Sequence, residues 1–437
     1  MASLKTFLGA ARKTITNPTT QRSSPLTFVV GNESADLDSL CSALLYAYFR
    51  TNSPPYSLHI PLSNLSRADL NLRPELSAVC RSAGLQTSDL ITLSDLPQDA
   101  QTGRILLKPD DTRWLLVDHN VLTGPLAPFS KQVVGCIDHH DDEGVVPPSC
   151  SPRVFAKCGS CMSLVIDQCK DAWSKLPNDG GPDERVSVDA SLAAVAMAPI
   201  LIDTTNLTSK DKTTNWDLKA AEFVESKINA PKSNFQVEQE EQQQQQQQQS
   251  EKPKEDGDGD GVSLIYDRAG YYDHLTKLKD DISGLSYRDI LRKDYKKWSD
   301  GGLNLGISTV VQAFDHVLDL HDGGQKAFLE ALKGWAEEQR LDIAAVMTVS
   351  KPDGVFTREL LVWGLNEKAV GVVKQFVKES GEDLKLSRWK EGQMDLQTEE
   401  QKKEKEWRAC WKQDNARHSR KQVAPMLREA MKESSRL

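Results

Sequence analysis

Carboxylates, some with imidazole beside them, recur four times in the first half of the chain, each time at the end of an apolar run. Asp36 and Asp38 follow Thr27-Phe28-Val29-Val30 through a short polar loop. Asp118 follows Trp114-Leu115-Leu116-Val117, and Asp138, His139 and His140 follow Val133-Val134-Gly135-Cys136-Ile137. Asp203 closes the long apolar stretch 187–202. Carboxylate oxygen with some imidazole nitrogen is what hard divalent ions such as Mg and Mn prefer, whereas zinc alone asks for more His or Cys. Asn32, Asp36, Asp38, Asp118, His139 and Asp203 could together supply the ligands of two such ions. Ions roughly 3.5–4 Å apart can share a water, lower its pKa and direct it at phosphorus. Asp36 and Asp38 stand where a loop turns into a helix, so both can point at one ion, or one of them can cap the helix instead.

Apolar runs that stop at polar clusters read as buried parallel strands. In open α/β sheets ligands gather beyond the carboxyl ends of such strands. The pattern predicts strands over 27–30, 57–60, 90–93, 113–117 and 133–137. Helices are predicted after Ser39 through Phe49, over 75–83, up to Cys169 and over 187–202. Farther on, helices over 271–282 and 326–339 accompany paired strands over 344–349 and 357–362 around the turn Lys351-Pro352-Asp353-Gly354.

A chain of 437 residues exceeds one ordinary core, so two domains are expected. With 38% hydrophobic and 27% charged residues it reads as a soluble globular protein. No run approaches the roughly 18 apolar residues of a membrane span. Eight scattered cysteines without a secretory signal suggest reduced thiols inside the cell. Cys158-Gly159-Ser160-Cys161 has no second pair at zinc spacing and reads as small thiols at a helix start. The net charge of −9 argues against a polyanion binder only if evenly spread; acid collects in 238–260, while 402–436 is basic. Residues 1–22 have the composition of a mitochondrial presequence, although an amphipathic helix packed outside the first domain is the favoured reading. The glutamine run 242–249 lies in an insert, about 233–262, that buries nothing and should be disordered. The hinge is placed at Ser283-Gly284, giving domains 1–283 and 284–437.

Asn32-Glu33-Ser34-Ala35-Asp36-Leu37-Asp38-Ser39, Asp118, Asp138-His139-His140 and Asp203 resemble, in order and spacing, the motifs of the DHH phosphoesterase superfamily. Asp294-Tyr295-Lys296 and Ser419-Arg420-Lys421 extend the likeness to the fungal cytosolic exopolyphosphatases, relatives of family II pyrophosphatases and prune proteins. The resemblance implies an α/β fold: an N-terminal DHH domain with a parallel sheet carrying the metals, and a smaller C-terminal α/β domain of DHHA2 type closing over substrate. It implies two divalent ions, Mg or Mn, on Asp36, Asp38, Asp118, His139 and Asp203. His140 would assist at the bridging phosphate oxygen, with Asp118 beside it in catalysis. Lys296, Arg420, Lys421 and, more weakly, Arg358 would grip phosphate. Family II pyrophosphatases have His at the position of Asn32 and Pro at that of Ala35, so Asn32 should make Mg acceptable. Prune-type proteins usually vary the double His, which is intact here and favours an active hydrolase.

The implied activity is removal of terminal orthophosphate from linear polyphosphate. The alternatives are a pyrophosphatase or short-nucleotide phosphodiesterase with the same metal chemistry, or a binding protein that has lost turnover. A RecJ-like nuclease is disfavoured, because His321-Asp322-Gly323-Gly324 reads as a turn and no glycine-rich nucleic-acid motif is found. A cytoplasmic monomer, with the mitochondrial matrix as the other location, is expected.

Overall fold

The computed structural model describes residues 3–16, 25–177, 182–228, 267–351, 354–396 and 405–434. The glutamine-rich insert expected over 233–262 and the turn residues Pro352 and Asp353 lie outside the described residues. The chain divides into two compact units, Met1–Leu278 and Lys279–Leu437, a division five residues ahead of the hinge placed from sequence.

In the first unit five strands form an all-parallel sheet of order β2-β1-β3-β4-β5: β1 (Leu26–Val30), β2 (His59–Leu62), β3 (Thr112–Val117), β4 (Val133–Asp138) and β5 (Arg153–Phe155). Strands β1 to β4 are buried nearly throughout, as their continuous apolar runs require. Around the sheet pack α1 (Leu4–Thr16), α2 (Leu37–Thr51), α3 (Pro74–Ser82), α4 (Cys161–Ser174), α5 (Pro182–Thr204) and α6 (Asn215–Ile228); α7 (Arg268–Asp280) follows. Helix α1 buries Leu4, Phe7, Leu8, Ala11 and Ile15 in the core, the amphipathic arrangement. Its Arg12 donates to the carbonyls of Ser88, Asp89 and Leu90. Within α5, residues Arg185–Thr204 are long and apolar enough to cross a membrane, with a mean hydropathy of 1.7, against the expectation that no run would be. That apolarity serves the core: Leu192, Ala196, Met197, Ile200 and Leu201 are fully buried.

Registers place Val30 opposite Leu62 and Leu116, and Val117 opposite Ile137. The polar residues that follow β1, β3 and β4 therefore emerge together at one edge. One expectation fails. Residues 90–93 are no strand; Thr92 makes an isolated bridge to Ser63, and the 3-10 turns Thr87–Asp89 and Leu93–Asp95 flank it. The Thr92 backbone N–H and hydroxyl both donate to Asp95, which locks a turn while Leu90 and Ile91 still reach the core. Strand β5 went unforeseen because three residues carry no readable period.

The second unit has a mixed sheet of order β10-β11-β9-β8-β7-β6, in which only β7 and β8 run parallel. Its strands are β6 (Tyr295–Asp300), β7 (Leu303–Val310), β8 (Ile343–Thr348), β9 (Glu359–Gly364), β10 (Leu386–Arg388) and β11 (Trp407–Gln413). Gly301 and Gly302, at φ +58 and +74, make the tight turn between β6 and β7. One apolar cluster joins the sheet to α8 (Tyr287–Lys293), α9 (Phe314–Asp319) and α10 (Gly324–Glu338). A second joins it to α11 (Glu367–Ser380) and α12 (Arg420–Ser434).

Candidate metal centre

Asp118, the residue after β3, stands at the middle of the polar edge. It is 2% exposed and has φ +61, a left-handed conformation that costs a non-glycine residue of order 1 kcal/mol and is concentrated at functional sites. Its Oδ2 accepts from Asn32 Nδ2 at 2.8 Å and from the Ser39 hydroxyl at 2.6 Å. Its Oδ1 lies 3.2 Å from His139 Nε2 and 3.7 Å from His140 Nδ1. Ser39 reaches it because Gly31 allows the start of α2 to come close; a Cβ there would lie 2.6 Å from Ser39 Cβ.

Asn32, a candidate ligand, makes hydrogen bonds with both ends of its amide. Its Oδ1 accepts the Ser34 backbone N–H at 2.8 Å, which fixes the amide so that Nδ2 faces Asp118. Asn32 therefore orients Asp118, and its Oδ1 keeps a second lone pair. Asp36 caps α2 by accepting the Ser39 N–H and remains exposed, and the capping takes only Oδ1 of its carboxylate.

Asp38 is 3% exposed and rests on the N-terminus of α4. Its carboxylate accepts Cys161 N–H at 2.7 Å, Met162 N–H at 2.9 Å and the Ser160 hydroxyl at 2.8 Å. Burial first, then the charges of Asp118, Asp203 and Asp36, push the Asp38 carboxyl well above the usual carboxylate range, with His139 opposing. His139 Nδ1 lies 3.0 Å from the Cys158 carbonyl, so Nδ1 carries the proton and Nε2 turns to Asp118 and Asp38. Asp203, in the last turn of α5, is half-buried. Cys158 and Cys161 are free thiols at the start of α4, and burial pushes both up.

His140 is oriented by a chain of polar contacts that the sequence reading left out. Its Nδ1 and its backbone N–H both lie against Asp138 Oδ1, at 2.7 and 3.1 Å. Asp138 Oδ2 accepts Asn120 Nδ2 at 2.6 Å. Burial would raise the Asp138 carboxyl, but the hydrogen bond and charge of His140, helped by Asn120, hold it below the ordinary range.

Two further buried residues were missed. Asp217, wholly buried at the start of α6, accepts N–H groups of Gly159, Ser160 and Thr214 and the hydroxyls of Ser163 and Thr214. It thereby fixes the segment that seats Asp38. The only sequence sign was Thr214-x-x-Asp217, a helix-start pattern. Arg73, 4% exposed, donates to the carbonyls of Ser34, Ala35 and Asp69, clamping the loop in which Ala35 has φ +48. Nothing local marks it.

In the second unit, Arg420 opens α12 and donates from Nη2 to Asp294 Oδ1 at 2.7 Å and from Nη1 to the Asp294 carbonyl. This brings Arg420 to the start of β6, where Lys296 lies. Lys421 is exposed in the first turn of α12. Arg358, just before β9, is buried and donates to the Ala416 carbonyl in the segment leading to Arg420.

The edge of the first unit fits a hard divalent cation. Ligand atoms of Asp118, His139 and His140 lie within 4.8 Å of one another, and the Asp38 charge is disfavoured by burial and then by the acids around it, whose repulsion a cation would offset. Comparison with known proteins agrees with this geometry. The model of the DHH family, N-terminal domain, matches residues 27–200, and that of the DHHA2 domain matches residues 273–430. A Schizosaccharomyces pombe protein named "Putative exopolyphosphatase" is 31% identical over 97% of this chain and 95% of its own length. "Exopolyphosphatase PRUNE1" of Rattus norvegicus is 27% identical over 94% of this chain and 76% of its own. A crystal structure titled as a Methanococcus jannaschii "putative family II inorganic pyrophosphatase" shares the fold, with TM-score 0.54 and 19% identity over 93% of this chain and 99% of that one. Two matched domain models and a relative aligned almost end to end establish that the chain belongs to the DHH phosphoesterase family, with a DHHA2 domain following its DHH domain.

Proposed function

We propose that the chain is an exopolyphosphatase that hydrolyses the terminal phosphate from linear inorganic polyphosphate and releases orthophosphate. The observation that carries this reading is the near full-length similarity to the S. pombe relative, combined with the grouping of Asp38, Asp118, His139 and His140 at one sheet edge. Asp36, Asp38, Asp118, His139 and Asp203 are the residues proposed to hold two divalent ions, Mg or Mn. Bound there, such ions lower the pKa of water and draw charge from phosphoryl oxygens.

The remaining work belongs to side chains. Asp138 is held ionised, so it keeps a proton on His140 Nδ1 and stabilises the imidazolium form, which can donate from Nε2 to the leaving phosphate oxygen. Asn120 keeps Asp138 in that pose. Lys296, Arg420 and Lys421, with Arg358 in support, are proposed to neutralise the rest of the substrate. The proposed partner is polyphosphate alone, with neither nucleic acid nor membrane, and the protein is proposed to act as a monomer. Eight free thiols support a reducing location, the cytoplasm or the mitochondrial matrix.

The test is orthophosphate release from long-chain polyphosphate and from pyrophosphate in parallel, with Mg, Mn or EDTA. Metal-dependent release from the long chain, with pyrophosphate largely intact, is expected. Faster cleavage of pyrophosphate would make the chain a pyrophosphatase, and no cleavage of either would make it a binding protein.

A further inference from the structure

The amino ends of β1, β3 and β4, at the sheet edge opposite the acids, open onto a polar cavity of about 150 Å³ lined by Tyr46, Arg50, His59 and Arg113. No carboxylate lines it. Among the described residues neither arginine makes a hydrogen bond or ion pair, and Arg50 Nε is buried without a partner. Tyr46 is 3% exposed and its hydroxyl has no partner among those residues either. A buried donor left unmade, as at Arg50 Nε, is costly, and two guanidinium groups at one cavity repel, so an anion there would relieve both.

Arg50 could be explained as a basic residue in the last turn of α2, where it opposes the helix dipole. The carbonyls there are already served, however: Asn52 Nδ2 donates to the Tyr48 carbonyl and the Ser53 hydroxyl to that of Phe49. Nor does that account reach Arg113 or Tyr46, which come from other positions. His59 adds chemical selectivity. Its Nδ1 is 2.7 Å from the Ser57 carbonyl and so carries the proton, which leaves Nε2 as an acceptor. Burial foremost, with Arg50 adding to it, lowers the His59 pKa and keeps the ring neutral. An acceptor beside two cations and a phenol suits an anion that itself bears a hydroxyl, as hydrogen phosphate does. The cavity far exceeds the roughly 10–15 Å³ that one water needs on the same measure, which leaves room for the five heavy atoms of a phosphate.

We propose that this cavity binds a phosphate-class oxyanion, either free orthophosphate or the end group of a polyphosphate, between Arg50 and Arg113 with the Tyr46 hydroxyl donating. The site uses none of the metal-centre residues, so it stands or falls apart from the proposed activity. The experiment is calorimetric titration of orthophosphate, and separately of tripolyphosphate, into the full chain in EDTA at physiological ionic strength. Wild type, Arg50→Met, Arg113→Met and Asp118→Asn are compared. Binding that is equal in wild type and Asp118→Asn and at least tenfold weaker in both arginine variants is expected. Arginine dependence with tripolyphosphate only would identify a chain end as the ligand. Absence of binding in the wild type, equal binding in Arg113→Met, or loss in Asp118→Asn alone overturns the proposal. Arg113 is exposed, so its variant carries the test should Arg50→Met fail to fold, as judged by circular dichroism.

Discussion

Replacing Asp217 by alanine should injure both the fold and the metal centre, though Asp217 itself touches neither Asp38 nor Asp118 in the hydrogen-bond network. The carboxylate takes three backbone N–H groups, from Gly159 at 2.9 Å, Ser160 at 3.2 Å and Thr214 at 2.8 Å. It also takes the hydroxyls of Ser163 and Thr214. Hydroxyls can rotate toward another acceptor, but the amides are fixed, and each stranded one costs roughly 1–3 kcal/mol. A water entering the vacated space would recover part of this. The expected loss is therefore about 3–5 kcal/mol, a large share of the roughly 5–15 kcal/mol available to a domain. The functional consequence runs through Ser160: once Gly159 and Ser160 are loose, the Ser160 hydroxyl and the N–H groups of Cys161 and Met162 no longer seat Asp38. Urea unfolding in EDTA measures the first effect. The shift of the midpoint on adding Mg measures the second, and it should shrink in Asp217→Ala. Asp217→Asn keeps shape and one acceptor, and should lose about 1–3 kcal/mol. A loss below about 1 kcal/mol in the alanine variant, with an undiminished Mg shift, would refute the idea that this acid holds the segment.

Asp118→Ala should abolish turnover while the protein still folds, at a cost of about 1–3 kcal/mol for the donors of Asn32 and Ser39 that it strands; normal metal binding and activity in that variant would rule Asp118 out as a ligand. Asn120→Ala, by releasing Asp138, should lower kcat about 10–100-fold with KM for polyphosphate little changed, and a change confined to KM would contradict the positioning role. Asp95 is half-buried, which raises its carboxyl, but the bonds from Thr92 and Arg67 and the charge of Arg12 outweigh this and depress it. Its contribution is therefore present above the unfolded value near pH 3.9 and is lost as pH falls through the lower folded value. Asp95→Asn should lower Tm at neutral pH and make the decline on acidification below about pH 4 shallower; parallel curves for the two proteins would contradict the linkage.

Much of the site was legible because its acids sit where an apolar run stops, a signal carried by adjacent residues. The parallel sheet followed from the same runs, and α10 and the β8–β9 pair from their periodicity and turn. What escaped depended on partners far away in sequence. Residues 90–93 have strand-like composition, yet Asp95 claims the Thr92 amide that a ladder would need. Strand β6 is half-buried along nearly all its length, so Tyr295-Lys296-Lys297-Trp298 shows no clean alternation. Arg73 reads as an ordinary surface cation until the loop at Ser34 and Ala35 folds over it. Asn32 offers its oxygen in the sequence, but the donation of its Nδ2 to Asp118 joins residues 86 apart and is not legible there.

The donors that hold the two central acids indicate why the cluster can serve a cation. Asp118 is fixed by an amide and a hydroxyl, and Asp38 by a hydroxyl and two backbone N–H groups at a helix start. These neutral groups orient the carboxylates without cancelling their charge, which a lysine or arginine in the same places would do. Burial first, and then repulsion by the nearby Asp118, Asp203 and Asp36, keeps the Asp38 carboxyl raised in the folded protein. Such repulsion is destabilising by itself and is relieved by binding a divalent ion, so stability and ion affinity are set against each other by the same residues. The buried hydrogen bonds of Asp217 and Arg73 beneath the loops keep those carboxylates in place against that repulsion, which is why residues that never meet substrate should matter to turnover.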